Sequence, residues 1–415
     1  MKMLRYSTLS IGMLAAMQAN AAGFQVAEHS ASGLGRAFSG EAVVADNASV
    51  LARNPAAMTL FDQAEFSGAL TVIDPEVDIT DITNQEQAND IAPMQVVPAA
   101  YYIAPINEQW AWGLGLFTTY GIATDYPDDI QAGDLAGDTS LMSVNLNPSV
   151  AYQINDHFSL GAGVNLVYAQ AKLNRHKGAL APVLGGNTSD KLISLEGDTF
   201  GYGWNLGAMY EINSDHRFGF GYRSKIDLKF KDGEFKSYDT GIGSRETVAG
   251  NLDISLPAIW ELSGFHQLTD DLAVHYSYQR TDWSTFTKLE ATSPDCTNTN
   301  GTVGQCFYKE EHYQDNDRVS VGGTYQFNPN WIGRIGFAFD EQAGKATLSI
   351  PDTDRYWYSA GLTYLYSDNL SIDAGFALVH SKASTFTEKD ALGQELTFRS
   401  SGEAYISSVQ MNYQF

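Results

Sequence analysis

Beyond its first twenty positions the chain has no apolar run of eighteen or more residues. Membrane-spanning helices are thereby excluded. Basic residues are scarce: 25 Lys and Arg face 49 Asp and Glu, for a net charge of −24. Such acidity excludes nucleic acid as a partner. Cysteine is nearly absent, with only Cys296 and Cys306, and neither has a His or Cys at zinc-ligand spacing. No metal or cofactor motif is present; the glycines of GLGRAFSG (33–40) miss the GxGxxG spacing and follow no strand. Charged residues are only 18%, yet aromatics reach 12% and Gly numbers 38. That mixture is unusual for a soluble protein and ordinary for a membrane β-barrel with aromatic girdles.

Lys2 and Arg5 precede an apolar run, Leu9 to Met17, and a small-residue site, Ala19-Asn20-Ala21. This is the pattern of a secretory signal peptide over 1–21, with Ala22 at the mature N-terminus. Export implies an oxidising compartment, which favours a Cys296–Cys306 disulfide over two free thiols. In the chain-entropy account such a link contributes roughly 3 kcal/mol.

From residue 64 onward the dominant signal has period two. In 158–174 the even positions carry Phe158, Leu160, Val164, Leu166 and Tyr168, and the odd ones Ser159, Gly161, Gly163 and Asn165. The same rhythm recurs at 199–212 and at 409–415, where Val409, Met411, Tyr413 and Phe415 share one side. Each repeat is about ten residues long, the length of a transmembrane strand. Short turns at 106–109, 155–157, 213–216, 269–271, 328–330 and 367–369 alternate with long connections. The long ones fall at 74–93, 125–137, 175–198, 233–245, 292–312, 341–354 and 385–401. Thirteen connections imply an all-β protein over 62–415: a closed, fourteen-stranded antiparallel barrel with its greasy face to lipid.

Residues 22–61 show neither strand alternation nor a helical face. They carry little charge, but Phe24, Leu34, Phe38, Val43, Leu51, Met58 and others are too apolar for a solvated tail. A barrel of this size leaves a lumen, so the segment is expected to fold inside it as a plug. The alternative is a disordered periplasmic tail.

The stretch AGFQVAEHSASGLGRAFSGEAVVADNASVLARNPAAMTLF resembles the hatch of the FadL/TodX family of outer-membrane long-chain fatty-acid transporters. The likeness continues through WGLGLFTTYGIATDY (112–126), VYAQAKLNR (167–175), SLPAIWELSGF (255–265) and IPDTDRYWYSAG (350–361), so it covers essentially the whole mature chain. The family implies a monomeric barrel in the outer membrane, facing lipid and lipopolysaccharide, that binds a long-chain fatty acid or another hydrophobic small molecule. Burying an acyl chain gains roughly 0.8 kcal/mol per CH₂, and the odd face of 158–174 ends in apolar Val167, Ala169, Ala171 and Leu173.

The odd face then brings Arg175 inward. By motif, Arg175 and Lys309 match the family's basic positions near the ligand carboxylate. Thr118-Thr119-Tyr120-Gly121 match the kink in the third strand through which ligand leaves sideways. The Asn54-Pro55-Ala56 turn matches the piece beside that opening, with Asn54 expected to bond to backbone freed by the broken ladder. A shift near Phe24 is expected to couple binding to opening. The 175–198 loop is shorter than in the best-known members, which puts the outer capture groove in doubt. Three other readings were weighed: a transporter of small aromatic hydrocarbons within the same family, a general hydrophilic porin, and a barrel hydrolase. The last cannot be assembled from His275 or His380 by sequence, and the chain is read as no enzyme.

Overall fold

A computed structural model of the chain describes residues 23–238, 247–297 and 302–415. The signal segment 1–21 lies outside these described residues, as does Ala22. Among them, strands β1 (Glu65–Asp81), β2 (Gln95–Pro105), β4 (Thr139–Asn155), β5 (Phe158–His176) and β6 (Lys191–Asn213) run through in one or nearly one piece. So do β11 (Trp331–Asp340), β12 (Arg355–Leu365), β13 (Leu370–Lys389) and β14 (Glu395–Gln414). Five others are interrupted: β3 (Trp110–Phe117, Ile122–Thr124), β7 (His216–Arg223, Ile226–Ser237), β8 (Thr247–Leu256, Ile259–Gln267), β9 (Leu272–Thr281, Lys288–Thr297) and β10 (Val303–Glu310, Asn316–Asn328). Sequence neighbours pair antiparallel all the way round. β1 closes the ring on β14 from Glu65↔Gln414 to Asp81↔Phe398, with β2 on its other side. Closure removes the free outer edges of the sheet, the condition for a sheet to cross a bilayer.

The alternation sorts side chains as the sequence predicts. Leu160, Val164 and Leu166 on β5 and Phe200, Tyr202, Trp204, Leu206 and Tyr210 on β6 face outward, while Ser159, Asn165, Val167 and Ala169 are buried within. The expected length of about ten residues is too short. β5 spans 19 residues and β6 spans 23, so the 175–198 connection shrinks to 177–190 and the 385–401 connection to 390–394. Beyond the membrane the outward positions turn polar, as at Glu196 and Asp198, and the strand reads as loop.

Residues 23–61 form the short helix α1 (Ala31–Gly35) and two 3₁₀ turns, Ala48–Ala52 and Pro55–Leu60. Ser30, Asn47 and Asn54 each cap one of these by accepting from a backbone N–H two or three residues on. The segment touches strands on every side of the ring. Ala48 N–H donates to Glu65 (β1), Asn54 to Ala208 O (β6), Ala42 N–H to Ser263 (β8) and Ala31 N–H to Gln410 (β14). Approach is closest at wall glycines. A Cβ at Gly161, Gly207, Gly219 or Gly336 would collide with Ala56, Asn54, Ala42 or Arg36.

Most of the segment's few charges are placed in ion pairs. Arg36 pairs with Glu41 (2.7 Å) and Asp46 (2.8 Å); Asp46 in turn meets Arg334 of β11 (2.9 Å), and Arg53 meets Glu261 of β8 (3.5 Å). Around the segment the wall carries Arg223, Glu261, Arg318, Arg334 and Asp373, all buried. In a water-poor interior such charges persist only when paired and hydrogen-bonded.

Candidate functional site

Above this charged level the inner wall of β5 becomes Val167, Ala169, Ala171 and Leu173, and then Arg175. The Arg175 side chain is 1% exposed. It donates to Asn174 O (2.7 Å), Thr139 Oγ1 (3.1 Å), Asp138 O (3.5 Å) and Ser349 Oγ (2.8 Å). All are neutral oxygens, and no carboxylate stands within ion-pair distance of it among the described residues. Lys309, from the upper part of β10, donates to the same Ser349 Oγ (3.0 Å). It also pairs with Glu388 of β13 (3.1 Å) and Glu311 (3.7 Å). Thus the two basic residues singled out in the sequence converge on one hydroxyl. Glu311, in the connector between the two parts of β10, is buried, and neither carboxylate oxygen has a hydrogen-bond partner. That burial pushes its carboxyl above the ordinary value, against the pull of Lys309.

Both cations line an outer cavity of about 780 Å³ that also includes Leu180, Ile193, Phe235 and Phe307. The Cys296–Cys306 disulfide (S–S 2.02 Å) forms part of its wall. A second, smaller pocket of about 50 Å³ is almost wholly apolar, lined among others by Phe24, Leu141, Leu195, Leu252, Phe286 and Ile350. Ile350 follows Ser349 directly in the chain, so the hydroxyl shared by Arg175 and Lys309 and the apolar lining belong to one loop. Sites for small organic ligands are typically 300–1,000 Å³. The outer cavity falls in that range and the apolar pocket does not, so a ligand of that size fits the pocket only if side chains move. Phe24 is the side chain at issue, 2% exposed and packed edge-on against Trp283 (4.5 Å between centroids) and Phe286 (5.2 Å).

Phe24 leads to the interruption in β3. The β2–β3 ladder ends at Ala100↔Leu116, and β3 loses strand geometry over Thr118–Gly121. Its backbone groups are taken instead by the N-terminal segment. Val26 N–H donates to Thr119 O (2.7 Å), Gly121 N–H to Phe24 O (2.8 Å), and Gln25 pairs as an isolated bridge with Tyr120. The His29 ring bonds to Thr118 O (2.9 Å). The Tyr120 hydroxyl reaches across to Pro257 O (2.7 Å).

The Asn54-Pro55-Ala56 turn is placed differently from expectation. Asn54 donates to Ala42 O (2.6 Å) and Ala208 O (3.1 Å), and Ala56 backs onto Gly161. It therefore sits against β5 and β6, and the break in β3 is filled by Phe24–Val26. Asn54 caps its own turn and ties the segment to an unbroken wall. Sequence reasoning missed Ser349 and Glu388. The only signal for them was a short apolar alternation, Leu348 and Ile350 around Ser349, inside a connection read as loop.

A family model described as outer membrane protein transport protein (OMPP1/FadL/TodX) matches residues 12–415. The chain belongs to this family. It is 40% identical over 447 residues to a long-chain fatty acid transport protein of Escherichia coli O6:H1, covering 99% of this chain and 98% of that one. It is 38% identical to outer membrane protein P1 of Haemophilus influenzae, with all of both chains covered. Among solved structures, a Pseudomonas aeruginosa FadL homologue has the same fold, with a TM-score of 0.84 at 24% identity over 95% of this chain and 100% of that one. A toluene transporter, TodX of Pseudomonas putida, superposes with a TM-score of 0.70 at 20% identity over 94% of this chain and 99% of that one. The protein is an outer-membrane β-barrel of a transport family and not of an enzyme family.

Proposed function

We propose that this protein takes up long-chain fatty acids across the outer membrane. The carboxylate is held by Arg175 and Lys309, the acyl chain enters the apolar pocket, and release is sideways at the break in β3. The observation that carries this reading is Arg175: a buried guanidinium with only neutral oxygens within hydrogen-bond distance and no carboxylate at ion-pair distance among the described residues, directly above apolar walls. A buried unpaired charge is costly, and an anionic head group supplies what it lacks. An uncharged aromatic hydrocarbon does not, which favours the fatty acid over the small aromatics named for the toluene transporters. Residues 22–61 act as a hatch that closes the bore to hydrophilic solutes, and ring closure of β1 on β14 lets the chain work as a monomer among lipid and lipopolysaccharide.

In this scheme the acyl chain displaces Phe24. Moving Phe24 breaks the backbone bonds from Gly121 N–H to Phe24 O and from Val26 N–H to Thr119 O, and uncovers the gap between β2 and β3. Because only the tip of the hatch moves, its ion pairs with β8 and β11 stay closed. The test is equilibrium binding of labelled palmitate to the purified barrel, wild type against Arg175→Ala/Lys309→Ala. Charge-assisted hydrogen bonds are each worth about 1.5–3 kcal/mol, so the double variant is expected to bind roughly 100-fold more weakly. Equal affinity of the two proteins would remove the head-group assignment and return the aromatic reading.

A further inference from the structure

Lys309 is not free to greet a ligand. Glu388, near the outer end of β13, places Oε1 3.1 Å from Lys309 Nζ. Its other oxygen, Oε2, accepts the Leu348 N–H at 2.7 Å. Both side chains are largely buried, at 11% exposed for Glu388 and 15% for Lys309. Glu388 thus uses both oxygens, one on the ammonium and one on a backbone donor beside Ser349, as the carboxylate of a ligand would. Arg175, which shares Ser349 with Lys309, has no such partner among the described residues. The two cations of the site are therefore unequal: Lys309 is joined to a carboxylate, whereas Arg175 donates to neutral oxygens alone.

We propose that Glu388 is a built-in rival of the ligand's head group, which sets the selectivity of the site for anionic over neutral amphiphiles. The inference rests on the head-group role of Arg175 and Lys309. An anion held first by Arg175 lies beside Ser349 and competes with Glu388 for Lys309. A neutral head group, such as an alcohol or an ester, offers no charge to replace the one that Lys309 would lose. Separating a largely buried ion pair without replacement is strongly unfavourable, so neutral amphiphiles leave Lys309 and Glu388 joined. Glu311 stays near Lys309 in either case and does not supply the missing discrimination: at 3.7 Å it makes no hydrogen bond to the ammonium.

The test compares palmitate with hexadecanol, a neutral amphiphile of the same chain length, on full-length barrels in an uncharged detergent. Glu388→Gln keeps the volume and an acceptor for the Leu348 N–H but removes the charge. Palmitate is expected to bind Glu388→Gln about 5- to 20-fold more tightly than wild type, with hexadecanol unchanged within about twofold. Three results would overturn the proposal. Palmitate affinity could be unchanged or weaker in Glu388→Gln although Arg175→Ala/Lys309→Ala has weakened it; the head-group site then stands and the rivalry falls. Hexadecanol could gain as much as palmitate, which would make Glu388 a steric obstacle. Palmitate affinity could survive Arg175→Ala/Lys309→Ala, and then both readings fall together. Should Glu388→Gln fail to fold, Glu388→Asp draws the carboxylate back by one methylene. A smaller gain for palmitate alone is then expected, and a loss would equally overturn the idea.

Discussion

The two levels of the lumen are built on opposite principles. Low in the barrel, residues 31–61 are fastened by Arg36, Asp46 and Arg53 to Arg334 and Glu261, and by Asn54 to the β6 backbone. High in the barrel, Phe24 rests on Trp283 and Phe286, and two backbone bonds and a bridge hold the tip at Thr119–Gly121. Directional, charge-assisted contacts fix one geometry. Apolar side chains can repack against another apolar surface, including a ligand, at little cost. One segment is therefore pinned by ion pairs at one end and, at the other, held by aromatic packing, backbone bonds and the Gln25 amide oxygen, which accepts from Gln279 and Thr281.

The largest effect should come from abolishing that difference. Gln25 and Tyr120 stand opposite one another as bridge partners, a spacing that a disulfide can span. In a background lacking Cys296 and Cys306, Gln25→Cys/Tyr120→Cys is expected to reduce palmitate uptake to the level of cells without the protein, with recovery on adding reductant. Unimpaired uptake by the oxidised protein would show that the tip need not move. The lower level is broken at Asp46. The Arg36 and Arg334 guanidinia outweigh its burial and hold its carboxyl down to about 2. A depressed carboxyl stabilises above its ordinary range, and the contribution is lost as pH falls through about 2. The Asp46 side chain is 23% exposed, so Asp46→Asn should cost about 2 kcal/mol, seen as faster amide exchange across 36–46, with Val26 and Gly121 unaffected.

Phe24→Ala sharpens the comparison from the other side. Losing the ring should cost about 3 kcal/mol locally and speed exchange at Val26 and Gly121, while 36–46 stays protected. Uniform acceleration over 23–61 would mean that the segment behaves as one body. The smallest effect on ligand binding is expected from Cys296→Ser/Cys306→Ser, which should cost about 3 kcal/mol of local stability. The β9–β10 ladder from Lys288↔Glu310 to Ala291↔Phe307 persists below the link, so palmitate affinity should change by no more than a few-fold.

The barrel was legible because lipid imposes period two on every strand it touches, as in Val409, Met411, Tyr413 and Phe415. Strand ends were not legible, since above the membrane lipid no longer sorts outward residues: Thr385 and Glu388 of β13 read as loop, yet they continue the ladder with Arg399 and Leu396. Arg175 could be placed by counting inward positions along one strand. Ser349 and Glu388 could not, because they reach the site from a connection and a strand that only the closed ring brings together. The ion pairs escaped notice for a similar reason. Arg36, Asp46, Glu261 and Arg334 occur singly along the chain, and no local pattern announces that they meet.

The wall glycines carry a final consequence. At Gly161, Gly207, Gly219 and Gly336 there is not the width of one carbon between the sheet and the backbone it encloses. A hydrocarbon threading downward along the axis would find no annulus to follow at any of these four stations, however flexible its own chain. Substitution at these positions is likewise one-sided: nothing remains to be removed, and any added methyl must dislodge main chain or, at Gly207, the Asn54 side chain.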